Sequence, residues 1–217
     1  MECKLVIFDL DGTILNTIDD LADSVNFICK KNGYPEHTVK EIQYMVGNGI
    51  PKLIERVLPE GTSTEIYNLI LKEFTEYYKN HSQIKTRPYD GITELLKNLK
   101  KHGIKTAVNS NKLHEACIPL CNLYFPGLFD LVCGNKPENK IKPSPDGVNE
   151  ILKATGVSIE NTVYIGDSDV DVQTALNSGA EFIGAEWGFR GRQFLIEHGA
   201  KKIADTPDSI SAILGIN

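Results

Sequence analysis

The chain has 217 residues, with 23 Lys and Arg against 29 Asp and Glu for a formal net charge of -6, and it is 41% hydrophobic and 24% charged. This balance belongs to an ordinary globular chain and argues against a broad surface for nucleic acid or anionic lipid. Cys3, Cys29, Cys117, Cys121 and Cys133 form no C-x-x-C pair and read as reduced packing residues, and no run approaches the ~20 apolar residues of a membrane span, so the expected location is cytoplasmic.

The first element in chain order is the apolar run Leu5-Val6-Ile7-Phe8, which reads as a buried strand and ends in Asp9-Leu10-Asp11-Gly12-Thr13. Carboxylates just past a strand end lie where open parallel sheets bind ligands. Taken alone, the same residues also read as an acidic turn. The long interval from there to Gly91 has helical periodicity but no convincing strand, and a structureless loop of that length is improbable. Leu21, Val25 and Ile28 suit one helix, Ile50, Leu53, Ile54 and Val57 a second, and Ile66, Leu69, Ile70, Phe74 and Tyr77 a third. The expectation is a helical insertion over residues 16–85. It would leave near Leu15-Asn16-Thr17 and return through Thr86-Arg87-Pro88-Tyr89-Asp90-Gly91.

Residues 1–15 and 86–217 then read as an α/β core, because strand-like runs alternate with helical patterns as in a Rossmann-like parallel sheet. Leu95, Leu96 and Leu99 share a helix face that ends near Gly103. The strand Thr106–Val108 runs into Asn109-Ser110-Asn111-Lys112. A hydroxyl, an amide and a cation at a strand end are anion-binding groups, although Ser-Asn also serves as a helix cap. After the strand Leu131–Cys133, Asn139-Lys140-Ile141-Lys142-Pro143-Ser144-Pro145 leads into a helix carrying Val148, Ile151 and Leu152. A pre-organised Lys142 can keep a carboxylate ionised and neutralise phosphate; by itself it reads as solvated charge.

The strand Val163–Ile165 opens into Gly166-Asp167-Ser168-Asp169-Val170-Asp171. Carboxylates gathered from separate strand ends repel one another, and a divalent cation with hard oxygen ligands, Mg²⁺, relieves that repulsion. Helix capping by Asp167, Ser168 or Asp169 is the competing explanation. A helix bearing Val172, Ala175 and Leu176 then runs to Gly179, the strand Phe182–Ile183 follows, and Asp205-Thr206-Pro207-Asp208 reads as a turn and cap. His37, His81, His102, His114 and His198 are scattered and suit packing or solvent.

Asp9-Leu10-Asp11-Gly12-Thr13, Ser110-Asn111, Lys142-Pro143 and Gly166-Asp167-Ser168 with Asp171 resemble, in this order, the motifs of the haloacid dehalogenase-like phosphohydrolases. The resemblance covers essentially the whole chain and implies a helical cap inserted after the first strand. It implies that Asp9 attacks phosphorus to form an aspartyl-phosphate, and that Asp11 protonates the leaving group and then deprotonates water. Asp9, Asp167 and the Asp11 carbonyl would hold Mg²⁺, with Asp171 beside the metal or orienting Lys142. Ser110, Asn111 and Lys142 would hold the phosphoryl group. The presence of Asp11 speaks against a dehalogenase or phosphonatase, which usually lack an acid there.

Val46-Gly47-Asn48-Gly49-Ile50 followed by Leu53-Ile54-Glu55-Arg56-Val57-Leu58 resembles the cap segment of the phosphoglycolate phosphatase group. Gly47, Asn48 and Gly49 would then offer backbone donors, and Arg56 a charge, to a small carboxylate. Glu186-Trp187-Gly188-Phe189-Arg190 resembles the same group's late loop, although Trp187 and Arg190 also suit packing and solvent. The implied activity is Mg²⁺-dependent hydrolysis of a small phosphorylated metabolite, 2-phosphoglycolate first, with no nucleic acid or membrane partner. Pyrophosphate or sugar phosphates are alternative substrates, phosphomutase chemistry is more remote, and a phospho-aspartyl signalling domain is the non-enzyme alternative. Asn16, where many relatives carry an acid, and Asn109, where an apolar residue is more usual, depart from the pattern.

Overall fold

The computed structural model describes residues 2–216. In chain order, β1 (Leu5–Phe8) and β2 (Leu15–Asn16) precede four helices: α1 (Ile18–Lys31), α2 (Val39–Met45), α3 (Gly49–Val57) and α4 (Thr64–His81). β3 (Arg87–Pro88) then leads to α5 (Ile92–Lys101), β4 (Lys105–Leu113), α6 (His114–Tyr124), β5 (Leu131–Asn135) and α7 (Asp146–Thr155). The chain finishes with β6 (Thr162–Gly166), α8 (Asp169–Ser178), β7 (Glu181–Ala185), α9 (Gly191–Glu197), β8 (Ile203–Ala204) and α10 (Pro207–Leu214).

The chain divides into two compact units, one ending at Leu15 and resuming at Pro88, the other running Asn16–Arg87. The first is an α/β unit whose six-stranded sheet has the order β5-β4-β1-β6-β7-β8, every pairing being parallel. β1 explains why the apolar run is unbroken. Val6 and Phe8 pack among Ile92, Leu95, Leu96, Leu99 and Ile210 on one face, while Leu5 and Ile7 pack among Val148, Ile151 and Ala175 on the other. A strand covered on both faces has no polar side to alternate with. Because the strands are parallel, the segments following β1, β4 and β6 emerge at one edge, with β1 between the other two.

The second unit contains α1–α4. α1 buries Leu21, Val25 and Ile28, as its periodicity implies, but α4 differs from expectation. It buries Ile70, Phe74 and Tyr78 along an i, i+4 seam, leaving Ile66 and Leu69 exposed and Tyr77 half-buried. Tyr77 instead stacks between Phe27 and His81, with ring centroids 3.9 and 3.8 Å away. α2 is an additional helix that buries Ile42 alone. Its start is held by a capping box, the Glu41 carboxylate accepting from the Thr38 N–H at 2.7 Å and the Thr38 hydroxyl accepting from the Glu41 N–H at 3.2 Å. In the first unit, Leu176 is likewise exposed while Val172 and Ala175 are buried.

The five cysteines are free thiols, and all but Cys3 are buried. Burial pushes the Cys121 and Cys133 thiols up to about 12, so they stay protonated packing groups. Among the described residues no helix is long and apolar enough to cross a membrane.

Candidate active site

Asp9 follows β1 directly, with its N–H donating to the Ile165 carbonyl of β6 at 2.9 Å. This continuation of the ladder fixes the carboxylate at the sheet edge. Asp167 follows β6 next door and is held from two directions. The Thr13 hydroxyl donates to its Oδ1 at 2.9 Å, and the Phe189 N–H donates to its Oδ2 at 2.8 Å. Trp187 ties the same loops together by donating from Nε1 to the Thr13 carbonyl at 2.9 Å. Glycine is required where they converge. A Cβ on Gly188 would lie 2.2 Å from Asp167 Cβ, and Gly12, at φ +90°, would put one 2.6 Å from Asp167 Oδ2.

Lys142 comes from the loop beyond β5, one strand further from β1 than β4, so it has to be brought back across the sheet edge. The Asn111 side chain does this. Its Oδ1 accepts from the Lys142 N–H at 2.7 Å, and its Nδ2 donates to the Lys142 carbonyl at 3.2 Å. Asn111 is therefore a clamp on the lysine backbone, which commits its carboxamide. Ser110 is buried nearby, its hydroxyl accepting from the Lys112 N–H at 3.1 Å.

The Lys142 ammonium reaches between two carboxylates, 2.7 Å from Asp9 Oδ1 and 2.7 Å from Asp171 Oδ1. Burial alone would pull its pKa down, but the charges of Asp171 and Asp9 outweigh burial and hold it well above the usual lysine value. Asp171 is committed to this task. Its Oδ2 accepts from both the backbone N–H and the hydroxyl of Ser168, at 3.1 and 2.6 Å. Tyr164 Oη stands 3.3 Å from Asp171 Oδ1 and 3.3 Å from the Asn109 carbonyl, and the Asn109 amide donates to it at 3.4 Å. The unusual polar residue Asn109 is thus part of the support behind Lys142.

Carboxylate oxygens of Asp9, Asp167 and Asp171 lie within 4.8 Å of one another, all buried. Burial, then the charge of Asp171, pushes the Asp9 carboxyl well above the carboxylate range against the pull of Lys142. Burial and Asp171 likewise raise Asp167 to about 7, opposed by the Phe189 N–H and the Thr13 hydroxyl. One ammonium does not neutralise three buried carboxylates, and this excess of negative hard oxygens fits a divalent cation. Each of the three carboxylates can offer it an oxygen, although Asp171 already serves Lys142 and Ser168, and Asp167 serves Thr13 and the Phe189 N–H.

Both oxygens of Asp11 face Lys112 Nζ, at 2.9 and 3.2 Å. Thr13 and the Phe189 N–H are contributions that sequence reasoning passes over as motif neighbours, whereas Lys112, read there as an anion-binding cation, is paired with Asp11. The signal for each was its place inside a motif, Thr13 after Asp-Gly and Phe189 in the late Trp-Gly loop. Gly47, Asn48, Gly49 and Arg56 belong to the helical unit. There Arg56 spends its guanidinium on the loop itself, donating to the Met45 carbonyl at 2.6 Å and to Asn48 Oδ1 at 2.8 Å.

The family model of the haloacid dehalogenase-like hydrolases matches residues 6–185. A phosphoglycolate phosphatase of Aquifex aeolicus is 31% identical over 86% of this chain and 86% of its own length. One from Thiobacillus denitrificans is 32% identical over 87% of this chain and 86% of its own. A crystal structure from Lactobacillus delbrueckii subsp. bulgaricus, provisionally assigned as a phosphoglycolate phosphatase, superposes with TM-score 0.94 at 39% identity, covering 99% of this chain and 100% of that one.

Proposed function

The chain belongs to the haloacid dehalogenase-like hydrolases, and on that premise we propose that it is a Mg²⁺-dependent phosphatase acting on 2-phosphoglycolate through an aspartyl-phosphate. The observation that carries the chemistry is the Lys142 ammonium wedged between Asp9 and Asp171. It draws Asp9 toward the ionised form needed for attack on phosphorus, opposing burial and Asp171, and supplies positive charge beside the incoming phosphoryl oxygens. When bound, Mg²⁺ supplies further charge neutralisation at that phosphoryl group, held by Asp9, Asp167 and the Asp11 carbonyl.

Ser110 and the backbone following it orient the phosphoryl group for in-line attack. Asp11 gives its proton to the departing alkoxide and, once ionised, takes one from the water that hydrolyses the aspartyl-phosphate. Residues 16–85 act as a cap that excludes bulk water during transfer and limits substrate size. In it the Gly47-Asn48-Gly49 turn provides backbone donors for a carboxylate, with Arg56 setting the turn's shape. The similarity to phosphatases named for phosphoglycolate supports the choice of substrate; pyrophosphate or a sugar phosphate would use the same machinery.

Phosphate release from 2-phosphoglycolate, pyrophosphate and a panel of sugar phosphates, with Mg²⁺ and with chelator, tests the reading. Selective, Mg²⁺-dependent hydrolysis of phosphoglycolate is the expected result. Preference for another ester would replace the substrate, and turnover undiminished by chelator would defeat the metal.

A further inference from the structure

Lys142 works from an irregular segment, residues 136–145, that leaves β5 and enters α7. An ammonium on a long flexible stem is placed no better than the backbone it hangs from. The exit of the segment is fixed by Asn111, which grips both the N–H and the carbonyl of Lys142, and by the Asp146 carboxylate. Asp146 accepts from the Lys140 N–H at 3.1 Å and from the Ser144 hydroxyl at 2.7 Å. The entry is fixed by a different carboxylate, Glu150, one turn further along α7. Its Oε1 accepts from the Lys136 ammonium at 2.5 Å, and its Oε2 from the Asn139 amide at 2.6 Å and the Cys133 thiol at 3.4 Å.

One side chain thus ties the end of β5, the first half of the segment and α7 together. Burial would raise the Glu150 carboxyl, but the bonds from Lys136, Asn139 and Cys133 outweigh it and hold the group below the usual carboxylate value. A carboxylate suits this place because it offers acceptors alone, whereas a carboxamide would turn an N–H toward one of the donors. Resting on the phosphatase reading above, we propose that Glu150 is a positioning residue for Lys142, anchoring the loop entry so that the ammonium stays between Asp9 and Asp171. Without the Glu150 carboxylate, the Lys136 ammonium loses its ion pair and moves out to water, drawing the loop entry with it. The exit anchors are then left to hold a loop released at its other end.

The test is NMR of the full-length protein carrying ¹⁵N-labelled lysine, alongside phosphate release from 2-phosphoglycolate with Mg²⁺. A buried ammonium held by carboxylates exchanges its protons slowly enough to give a resolved NH₃⁺ signal. Lys112, carried by β4, similarly sheltered and paired with Asp11, is the internal control, and substituting each lysine by arginine assigns the two signals. Glu150→Gln is expected to broaden the Lys142 signal beyond detection while the Lys112 signal stays. It should also lower kcat at least about tenfold with KM within about twofold, as a displaced catalytic group does. Asn139→Ala removes one donor and keeps the carboxylate, so its kcat should fall about three- to tenfold. It stands in for Glu150→Gln, with the same signals read, if that variant melts below the assay temperature.

A Lys142 signal unchanged by Glu150→Gln, loss of the Lys112 signal along with it, an unchanged kcat, or a KM that rises at constant kcat would each overturn the proposal. Absence of hydrolysis by the wild-type protein would sink the phosphatase reading, while the ammonium signals would still decide whether Glu150 holds Lys142 in place.

Discussion

Two buried carboxylates, Asp9 in the α/β unit and Asp20 in the helical unit, are held in opposite ways. Asp20, at the start of α1, accepts the backbone N–H groups of Ile84, Lys85 and Thr86 at 3.0, 2.8 and 2.8 Å. Its charge is spread over three fixed neutral donors belonging to the segment that closes the unit. Asp9 shares its surroundings with two further carboxylates and the Lys142 ammonium, and its carboxyl is pushed well above the usual range. One site is satisfied by the chain and the other is left short of positive charge. Burial does not by itself mark a catalytic acid; incomplete compensation does.

Removing each charge in turn should separate the two sites. Asp9→Asn is expected to lower kcat at least about a thousandfold, as loss of a nucleophile does. In Mg²⁺-free buffer at pH 8 its melting temperature should be no lower than the parent's, because a repelled buried charge has gone. Near-normal turnover would refute the nucleophile. Asp20→Ala should do the reverse to stability, since stranding buried N–H donors costs about 1–3 kcal/mol each. A loss of about 3 kcal/mol in urea unfolding is expected; a loss below 1 kcal/mol would mean that water replaces the carboxylate easily.

Why some of this is legible from residues alone, and some not, has a physical basis. β1 is plain because both of its faces are covered, and Asp9, Asp11 and Asp167 are visible because strand ends in a parallel sheet converge. The two-residue strands β2, β3 and β8 carry no period to read. α2 has one buried residue and hence no stripe, although Thr38-Val39-Lys40-Glu41 spells its capping box. Seams mislead too, as in α4, where Ile66 and Leu69 look like core residues and stay exposed. The clamp between Asn111 and Lys142 joins residues 31 apart, and the Lys112–Asp11 pair residues 101 apart. Residue type points to an anion site there, but which side chain touches ligand and which holds its neighbour is decided by tertiary geometry.

A third test sharpens the charge deficit by pH. Burial and Asp171 raise Asp167 to about 7. A carboxyl whose folded pKa exceeds its unfolded value near 3.9 binds more protons folded than unfolded, so its contribution to stability falls as pH rises from about 4 to about 7 and then levels. At about 1.4 kcal/mol per pH unit the ceiling is ~4 kcal/mol. Allowing for coupling to Asp9 and Asp171, metal-free protein is expected to lose about 2 kcal/mol more than Asp167→Asn across that window. Saturating Mg²⁺ should restore most of it at pH 8. Equal pH dependence of the two proteins would show that Asp167 is fully compensated without metal.

The smallest effect is expected where compensation is internal to the helical unit. Arg56 donates through separate nitrogens to the Met45 carbonyl and Asn48 Oδ1, bracing the turn that contains Gly47 at φ +121° and Gly49 at φ +81°. A lysine carries charge to the same region but cannot present two nitrogens in a rigid fork. Arg56→Lys should therefore loosen the turn without removing a cation. KM for phosphoglycolate is expected to rise about three- to tenfold, roughly 1 kcal/mol, with kcat within about twofold. A fall in kcat at constant KM would place the guanidinium against the transition state, making Arg56 a contact to the reacting group rather than a brace for the turn.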